Sequence, residues 1–378
     1  MDKKYSKNLV LFFSRSISLQ DWDNAGILSR EIMLYLELIK NGWKISFITY
    51  GDKSDLSYKK LLDGIDIYCN QFGLPQRWYE AFIFIIHRKI LKRCHLIKTN
   101  QMSGADIALK VAKFFNKPVI NRNGYLPSTG ILKKNGADSK IYMDTVLNEN
   151  LIFRSSNAVT VSTEKLSNIV IESGIPKHKV SVIPNFIDVD KFYPIVNPKK
   201  FFDCIFVGRI SEEKNIENLI EAISKTDYSL LIVGQGPLKN NYMKKYQNAN
   251  VKIFWENSIQ NDRLPTFYNK CKIFILPSFY EGHPKALLEA MSCGMLVIAS
   301  NVVGNKEIIQ DGKNGFLCKT TVDSIQSTIH KVMKSDQKEI SKIKKNARDY
   351  ILHNFTLDKI VKLENKLYKH VLNNLEPN

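Results

Sequence analysis

The segment Phe274 to Gly294 reads FILPSFYEGHPKALLEAMSCG and concentrates the residues best suited to chemistry. An apolar strand runs into a polar loop, after which Pro284 suits the first position of a helix and Gly294 the position just past its end. The first turn of that helix, at Lys285, Ala286 and Leu287, presents backbone N–H groups and the positive end of the helix dipole, a natural seat for phosphate. Glu281 precedes the turn, and Glu289 lies about 7.5 Å beyond Pro284 along the axis at the usual rise. With a diphosphate on the helix start, one carboxylate is placed to meet a sugar and the other a ribose, because carboxylates accept hydroxyl hydrogen bonds well.

A second segment, IFVGRISEEKN from Ile205 to Asn215, puts Arg209 and Lys214 in the loop after another strand. Two cations set across from the helix start would neutralise a diphosphate and stabilise it as it departs with developing charge. Taken alone, Glu212, Glu213 and Lys214 read equally as an ordinary solvated loop.

The elements that must position these loops alternate. Asn8 to Phe13 reads as a buried strand, Asn24 to Lys40 as a helix and Trp43 to Thr49 as a strand; a helix from Trp78 to Lys92, a strand at His95 to Thr99, a helix at Ala105 to Phe115 and a strand at Pro118 to Asn121 follow. Short β-branched runs come at Ala158 to Ser162 and Val180 to Ile183. The periodicity pauses through Lys191 to Lys200, with Pro194 and Pro198, and then restarts. The second half reads strand 203–207, helix 215–224, strands 229–233 and 251–254, helix 262–269, strand 272–276, helix 284–293 and strand 295–298. Strands separated by helices imply an α/β chain of two doubly wound parallel sheets, and at 378 residues two domains are expected, facing a shared cleft beyond the strands' carboxyl ends.

EGHPKALLE, with its two glutamates seven residues apart, resembles the signature of glycosyltransferase family 4, the large retaining family with the GT-B fold. VGRISEEKN is similar to that family's phosphate-binding loop, VGQGP (Val233 to Pro237) to its next strand end, VIPNFID (Val182 to Asp188) to its interdomain linker and NVVGNKEIIQDGKNGFL (Asn301 to Leu317) to its closing segment. Ordered co-occurrence over residues 160–320 is far more specific than any one motif. The resemblance implies a retaining transfer from a nucleotide-diphosphate sugar to a hydroxyl. Residues 1–190 would then be the acceptor domain, 191–354 the donor domain, and a final helix within 355–378 would pack back on the first. Arg209 and Lys214 would hold the diphosphate, Glu281 the transferred sugar and Glu289 the ribose, with Gly208, Gly234, Gly282, His283, Lys285, Ala286 and Leu287 lining the donor site. It implies no metal and no cofactor beyond the nucleotide-sugar substrate, and Asp188-Val-Asp190 reads as a turn.

Many relatives carry a histidine after an N-domain strand where this chain reads VINRNGY (Val119 to Tyr125), so no catalytic imidazole is assigned. Asn100, Gln101 and Arg122 fall after N-domain strands, where an acceptor would be recognised, although each reads equally as a polar cap. Gly26 either lets the backbone approach a ligand or starts a helix; DNAGIL is not a dinucleotide fingerprint, which argues against an NAD-dependent oxidoreductase.

The formal charge of +18, from 55 Lys and Arg against 37 Asp and Glu, implies attraction to polyanions. No nucleic-acid-binding motif is present, so a nucleic-acid partner is not expected. The stretch 77–98 follows Trp78, Tyr79, Phe82, Phe84 and Ile86 with Arg88, Lys89, Lys92 and Arg93, and fits either an anionic lipid surface or a core helix with a solvated basic end. The six cysteines show no disulfide or zinc spacing, and the longest apolar run, Ala81 to Ile86, is far below the roughly 20 residues that cross a bilayer. The cysteine usage points to a cytoplasmic protein, and the resemblance to a family common in surface polysaccharide assembly, together with the basic segment, implies a glycan or lipid-linked glycan acceptor met peripherally at the inner membrane face. A sugar-nucleotide epimerase is the rival with the same architecture.

Overall fold

The computed structural model describes residues 7–247 and 251–374. The chain forms two compact units, one of residues up to Pro184 together with those from Asp358, the other Asn185–Leu357.

The first unit is built on a parallel sheet of β1 (Lys7–Phe12), β2 (Trp43–Ile48), β3 (Ile65–Tyr68), β4 (Leu96–Thr99), β5 (Val119–Asn123), β6 (Ala158–Val161) and β7 (Val180–Val182), in the order β3-β2-β1-β4-β5-β6-β7. Leu9, Val10 and Leu11 are wholly buried, as expected of a central strand covered on both faces. The order reverses between β1 and β4, which pair in parallel from Leu9↔Leu96 to Phe12↔Thr99. The helix Leu357–Asn373 closes this unit: fully buried Lys98 of β4 donates to Glu364 Oε1 at 2.5 Å and to the Tyr368 hydroxyl at 2.9 Å, and Trp43 Nε1 donates to Asn365 at 2.7 Å. Burial lowers the Lys98 pKa and the Glu364 charge opposes that fall.

The second unit has the parallel strands β8 (Phe202–Val207), β9 (Leu230–Val233), β10 (Ile253–Glu256), β11 (Cys271–Leu276), β12 (Leu296–Ser300) and β13 (Phe316–Cys318), ordered β10-β9-β8-β11-β12-β13. Its order reverses between β8 and β11.

Four expectations differ from the structure. The boundary anticipated at 190/191 falls at Pro184/Asn185, because Ile187 and Phe192 are buried in the second core and Arg348 ties the segment down by donating to the carbonyls of Val189 and Phe192. The return anticipated at 355 begins at Asp358 for a related reason: Ile187 N donates to Phe355 O, holding Phe355 in the second unit. The single helix expected over 24–40 is two, Leu19–Asn24 with a Ser18/Asp21 capping box and Leu28–Lys40, split by a turn in which Gly26 takes a left-handed φ of +68°. Likewise the helix expected over 78–92 breaks into Gln76–Ile86 and Arg88–Arg93 at His87, whose buried ring bonds the Tyr79 hydroxyl at 2.8 Å.

All six cysteines are buried and unpaired, and burial pushes the Cys69 and Cys94 thiols up to about 11. Among the described residues no helix is long and apolar enough to cross a membrane.

Candidate active site

Ligands of open parallel sheets bind beyond the carboxyl ends of the strands where the strand order reverses. In the second unit that point lies between β8 and β11, and the loops leaving these two strands hold both charged motifs. After β8 the chain turns through Glu212–Lys214 as a short 3-10 helix and enters the helix Ile216–Ser224 through Asn215, at φ +54°. The buried Asn215 side chain donates to Pro277 O at 3.0 Å and Thr320 O at 2.8 Å, pinning the β8 loop to the end of β11. Phe279 N donates to Glu213 O at 2.8 Å and completes the join.

These bonds bring Lys214 Nζ to 2.7 Å from Glu281 Oε1. The Ser278 hydroxyl donates to the same oxygen at 2.6 Å. The Glu281 side chain is only 8% exposed and that of Lys214 22%, so the pair is sheltered yet reachable. Ser278 is fixed from below: its carbonyl accepts from the Ser300 hydroxyl, and buried Asn305 donates to Ser300 O at 2.9 Å. Gly304 touches the Glu281 loop from the other side, where a Cβ would stand 1.9 Å from Gly282 O. Glycine is therefore required there for close backbone approach.

Arg209 is exposed in the same loop as Lys214. Burial raises the Glu213 carboxyl, but the Ser211 hydrogen bond and the Lys214 and Arg209 charges outweigh it and hold the group below its ordinary value. Gly208 and Gly234 end β8 and β9 back to back; a Cβ on Gly234 would lie 1.9 Å from Gly208 O.

The helix Lys285–Ser292 starts behind Pro284 with no side-chain cap, and its amide bonding begins with Leu288 N to Pro284 O. Lys285, Ala286 and Leu287 form its first turn, as expected. Glu289 is buried, with Asn261 Nδ2 donating to Oε1 at 3.0 Å and the Tyr268 hydroxyl to Oε2 at 2.9 Å. These two bonds orient the carboxylate. The His283 ring is buried edge-on against Phe355 at 5.0 Å, and its carbonyl accepts from Asn185 Nδ2 at 2.7 Å.

In the first unit Asn100, Gln101 and Arg122 do meet at the carboxyl ends of β4 and β5. Arg122 donates to Asn100 O at 3.3 Å, and Gln101 Oε1 accepts from Gly124 N at 2.9 Å. Gly26 instead closes the turn between two helices, its N–H donating to Asp23 O at 2.7 Å.

Sequence reasoning missed a cavity of about 610 Å³ here, lined by Arg15, Gly104, Asp106, Tyr125, Lys140 and Asp144 among others. Arg15 bonds Glu80 at 2.8 Å and Asp106 at 2.9 Å. The signal available was the Ser14-Arg15 pair that ends the first apolar run. Asn215, Ser278 and Asn305 were missed as well.

Residues 190–350 match the family of glycosyl transferases group 1. The chain is 32% identical over 215 residues to the Escherichia coli UDP-Gal:alpha-D-GlcNAc-diphosphoundecaprenol alpha-1,3-galactosyltransferase, covering 50% of this chain and 54% of that enzyme. To the Bacillus anthracis N-acetyl-alpha-D-glucosaminyl L-malate synthase it is 25% identical over 57% of this chain and 60% of that enzyme. The chain thus spans little more than half the length of these relatives. Among solved structures, sucrose-phosphate synthase from Thermosynechococcus elongatus superposes with a TM-score of 0.76 at 19% identity, covering 97% of this chain and 99% of that one. HepE of Anabaena, solved in complex with UDP and glucose, gives 0.75 at 16% identity, covering 96% and 99%. At such identities the likeness concerns the fold, which is GT-B, with two Rossmann-like parallel-sheet domains in one chain. The family match falls on the unit that pairs Lys214 with Glu281, and over residues 190–350 this chain resembles the glycosyl transferases group 1 family.

Proposed function

We propose that the protein is a retaining glycosyltransferase that moves a sugar from a nucleotide-diphosphate donor to a hydroxyl of a glycan or lipid-linked glycan. The observation that supports this most is the Lys214–Glu281 pair at the strand-order reversal of the second unit. In the Lys214–Glu281 pair each charge satisfies the other. Donor binding would divide them, with Lys214 and Arg209 turning to the diphosphate and Glu281, still held by Ser278, accepting from sugar hydroxyls beside the reacting carbon. The first turn at Lys285, Ala286 and Leu287 would offer amides to the phosphates, and Glu289, steadied by Asn261 and Tyr268, would take the ribose hydroxyls. Gly208, Gly234 and Gly282 would let the backbone come close to the donor, with His283 supporting the loop between the two glutamates.

The acceptor would lie at the strand ends of the first unit, near Asn100, Gln101 and Arg122, with the Arg15–Asp106 cavity accommodating its polar part. The relatives' names include an enzyme acting on a diphosphoundecaprenol-linked sugar, which supports a lipid-linked acceptor and, for this basic chain, peripheral contact with an anionic membrane from the cytoplasmic side.

Lys214→Ala and Glu281→Ala test the assignment in a sugar-transfer assay. Each is expected to depress turnover by about 10²- to 10³-fold, the usual loss for a transition-state charge contact, with the thermal melt preserved. Near-normal turnover in both folded variants would reject the site.

A further inference from the structure

We propose that the cavity at the carboxyl ends of β1, β4 and β5 seats one uncharged sugar ring of the acceptor in preference to anionic sugars, with Tyr125, Lys140, Asp144 and Asn148 as the groups that read it. This rests on the hydroxyl-acceptor reading given above and adds to it the chemical class of the acceptor unit.

The cavity, of about 610 Å³, has the size of a small-molecule site and stands where the first sheet reverses its strand order. Arg15 reaches it from the loop after β1, Ser103 and Gly104 from the loop after β4 and Tyr125 from the loop after β5, and one face of the helix Lys140–Ser155 forms a wall. Its charge runs against that of the chain. The whole sequence carries +18, yet among the described residues three carboxylates, Asp106, Asp144 and Glu149, line this cavity against two cations, Arg15 and Lys140. Arg15 is already engaged: it donates to Glu80 Oε1 at 2.8 Å and to the two oxygens of Asp106 at 3.0 and 2.9 Å. A guanidinium shared by two carboxylates offers no net positive charge to a phosphate or a uronate. Glu149 is buried and held by Ser128, whose N–H and hydroxyl donate to it at 2.8 and 2.7 Å. Lys140, the other cation, stands four residues from Asp144 on the same helix, so an anion drawn to one is repelled by the other.

These groups suit hydroxyls. Lys140, Asp144 and Asn148 follow one another at four-residue spacing, about 6 Å apart along the axis, all exposed, and present in turn a donor, an acceptor and an amide that is both. Ring hydroxyls, each able to donate and to accept, answer all three, whereas phosphate or carboxylate oxygens answer only the donors. Tyr125, 56% exposed, and Ile141, 53% exposed, set apolar surface among the polar groups. A pyranose has the same division, with C–H groups on its faces and hydroxyls around its rim, so an aromatic ring covers a face while neighbouring carboxylates and amides take the rim.

Saturation-transfer NMR on the full chain tests this, with the methyl glycosides of glucose, galactose and N-acetylglucosamine as neutral probes and glucuronic acid and glucose 6-phosphate as charged ones. At least one neutral glycoside is expected to bind, about ten-fold more tightly than either charged sugar, the usual effect of one hydrogen bond to a charged group. Asp144→Ala and Tyr125→Ala are each expected to weaken that binding about ten-fold. Asp144→Lys should turn the preference towards glucose 6-phosphate, a reversal that a merely structural role for Asp144 would not produce. Both side chains are exposed, so the variants should keep the wild-type melting temperature and its response to nucleotide-sugars. A wild type that binds no neutral glycoside, charged sugars bound as tightly as neutral ones, or variants that bind as the wild type does would overturn the proposal. A response to nucleotide-sugars without glycoside binding would remove this seat and leave the donor site standing. Glycoside binding in a protein that ignores every nucleotide-sugar would keep the seat and count against the transferase reading.

Discussion

Lys214 and Glu281 are 67 residues apart in sequence and 2.7 Å apart in the fold, and what joins them is an asparagine. Asn215 spends its amide on Pro277 O and Thr320 O, and its left-handed backbone turns the chain so that Lys214 faces β11. Asn218 also donates to Thr320 O at 2.9 Å, so Asn215→Ala would orphan chiefly Pro277 O. The expected cost is about 1–3 kcal/mol in urea denaturation, the penalty for one buried unsatisfied carbonyl, together with slower transfer as Lys214 loses its position. An unchanged midpoint would show that Phe279 N and Glu213 O hold the loop unaided. The charged residues were legible in the sequence as candidates because their types and spacing suit a diphosphate. Asn215 was not, since its importance lies in carbonyls 62 and 105 residues away. Glu289 was legible as a helix residue, but its bonds to Asn261 and Tyr268 depend on tertiary packing.

At the scale of elements, the long buried strands were readable from apolar runs, and the helix Ala105–Phe115 falls where periodicity places it. β3 and β13 were not, because Asp66 interrupts the apolar run of β3 and β13 is three residues with no β-branched side chain. Helix breaks were missed where a polar side chain ends the helix from within. His87 is the clearest case. Burial takes its pKa from the ordinary 6.5 down to about 4. The unfolded chain therefore binds this proton first as acid is added, so the contribution to stability is fully present above 6.5, shrinks as pH falls and is gone below about 4. The wild type is expected to lose up to about 3 kcal/mol across that window by this route. His87→Gln keeps a partner for Tyr79 without a titrating ring and should flatten the acid limb in denaturation measured across the window; an identical slope would place the acid sensitivity elsewhere.

At the scale of the molecule, two doubly wound sheets were readable from the alternation of strands and helices, whereas the unit boundaries were not. The linker looks like a linker in composition, yet Ile187 and Phe192 are core residues of the second unit, and the chain does not leave that unit until Leu357. The two ends of the first sheet have different chemistry: polar groups and a cavity at the carboxyl ends of β1, β4 and β5, and Lys7, Lys92, Arg93 and Lys117 around a second cavity at their starts. The most direct test of the proposed donor site is the thermal shift of wild type, Lys214→Ala and Glu281→Gln with UDP-, GDP- and ADP-sugars and with the matching free nucleotides, since a ligand that binds only the folded state raises its melting temperature. One nucleotide series is expected to stabilise the wild type, Lys214→Ala to respond to neither sugar donor nor free diphosphate, and Glu281→Gln to respond alike to both because it no longer reads the sugar. A wild type indifferent to every nucleotide, or variants that respond as the wild type does, would contradict the account.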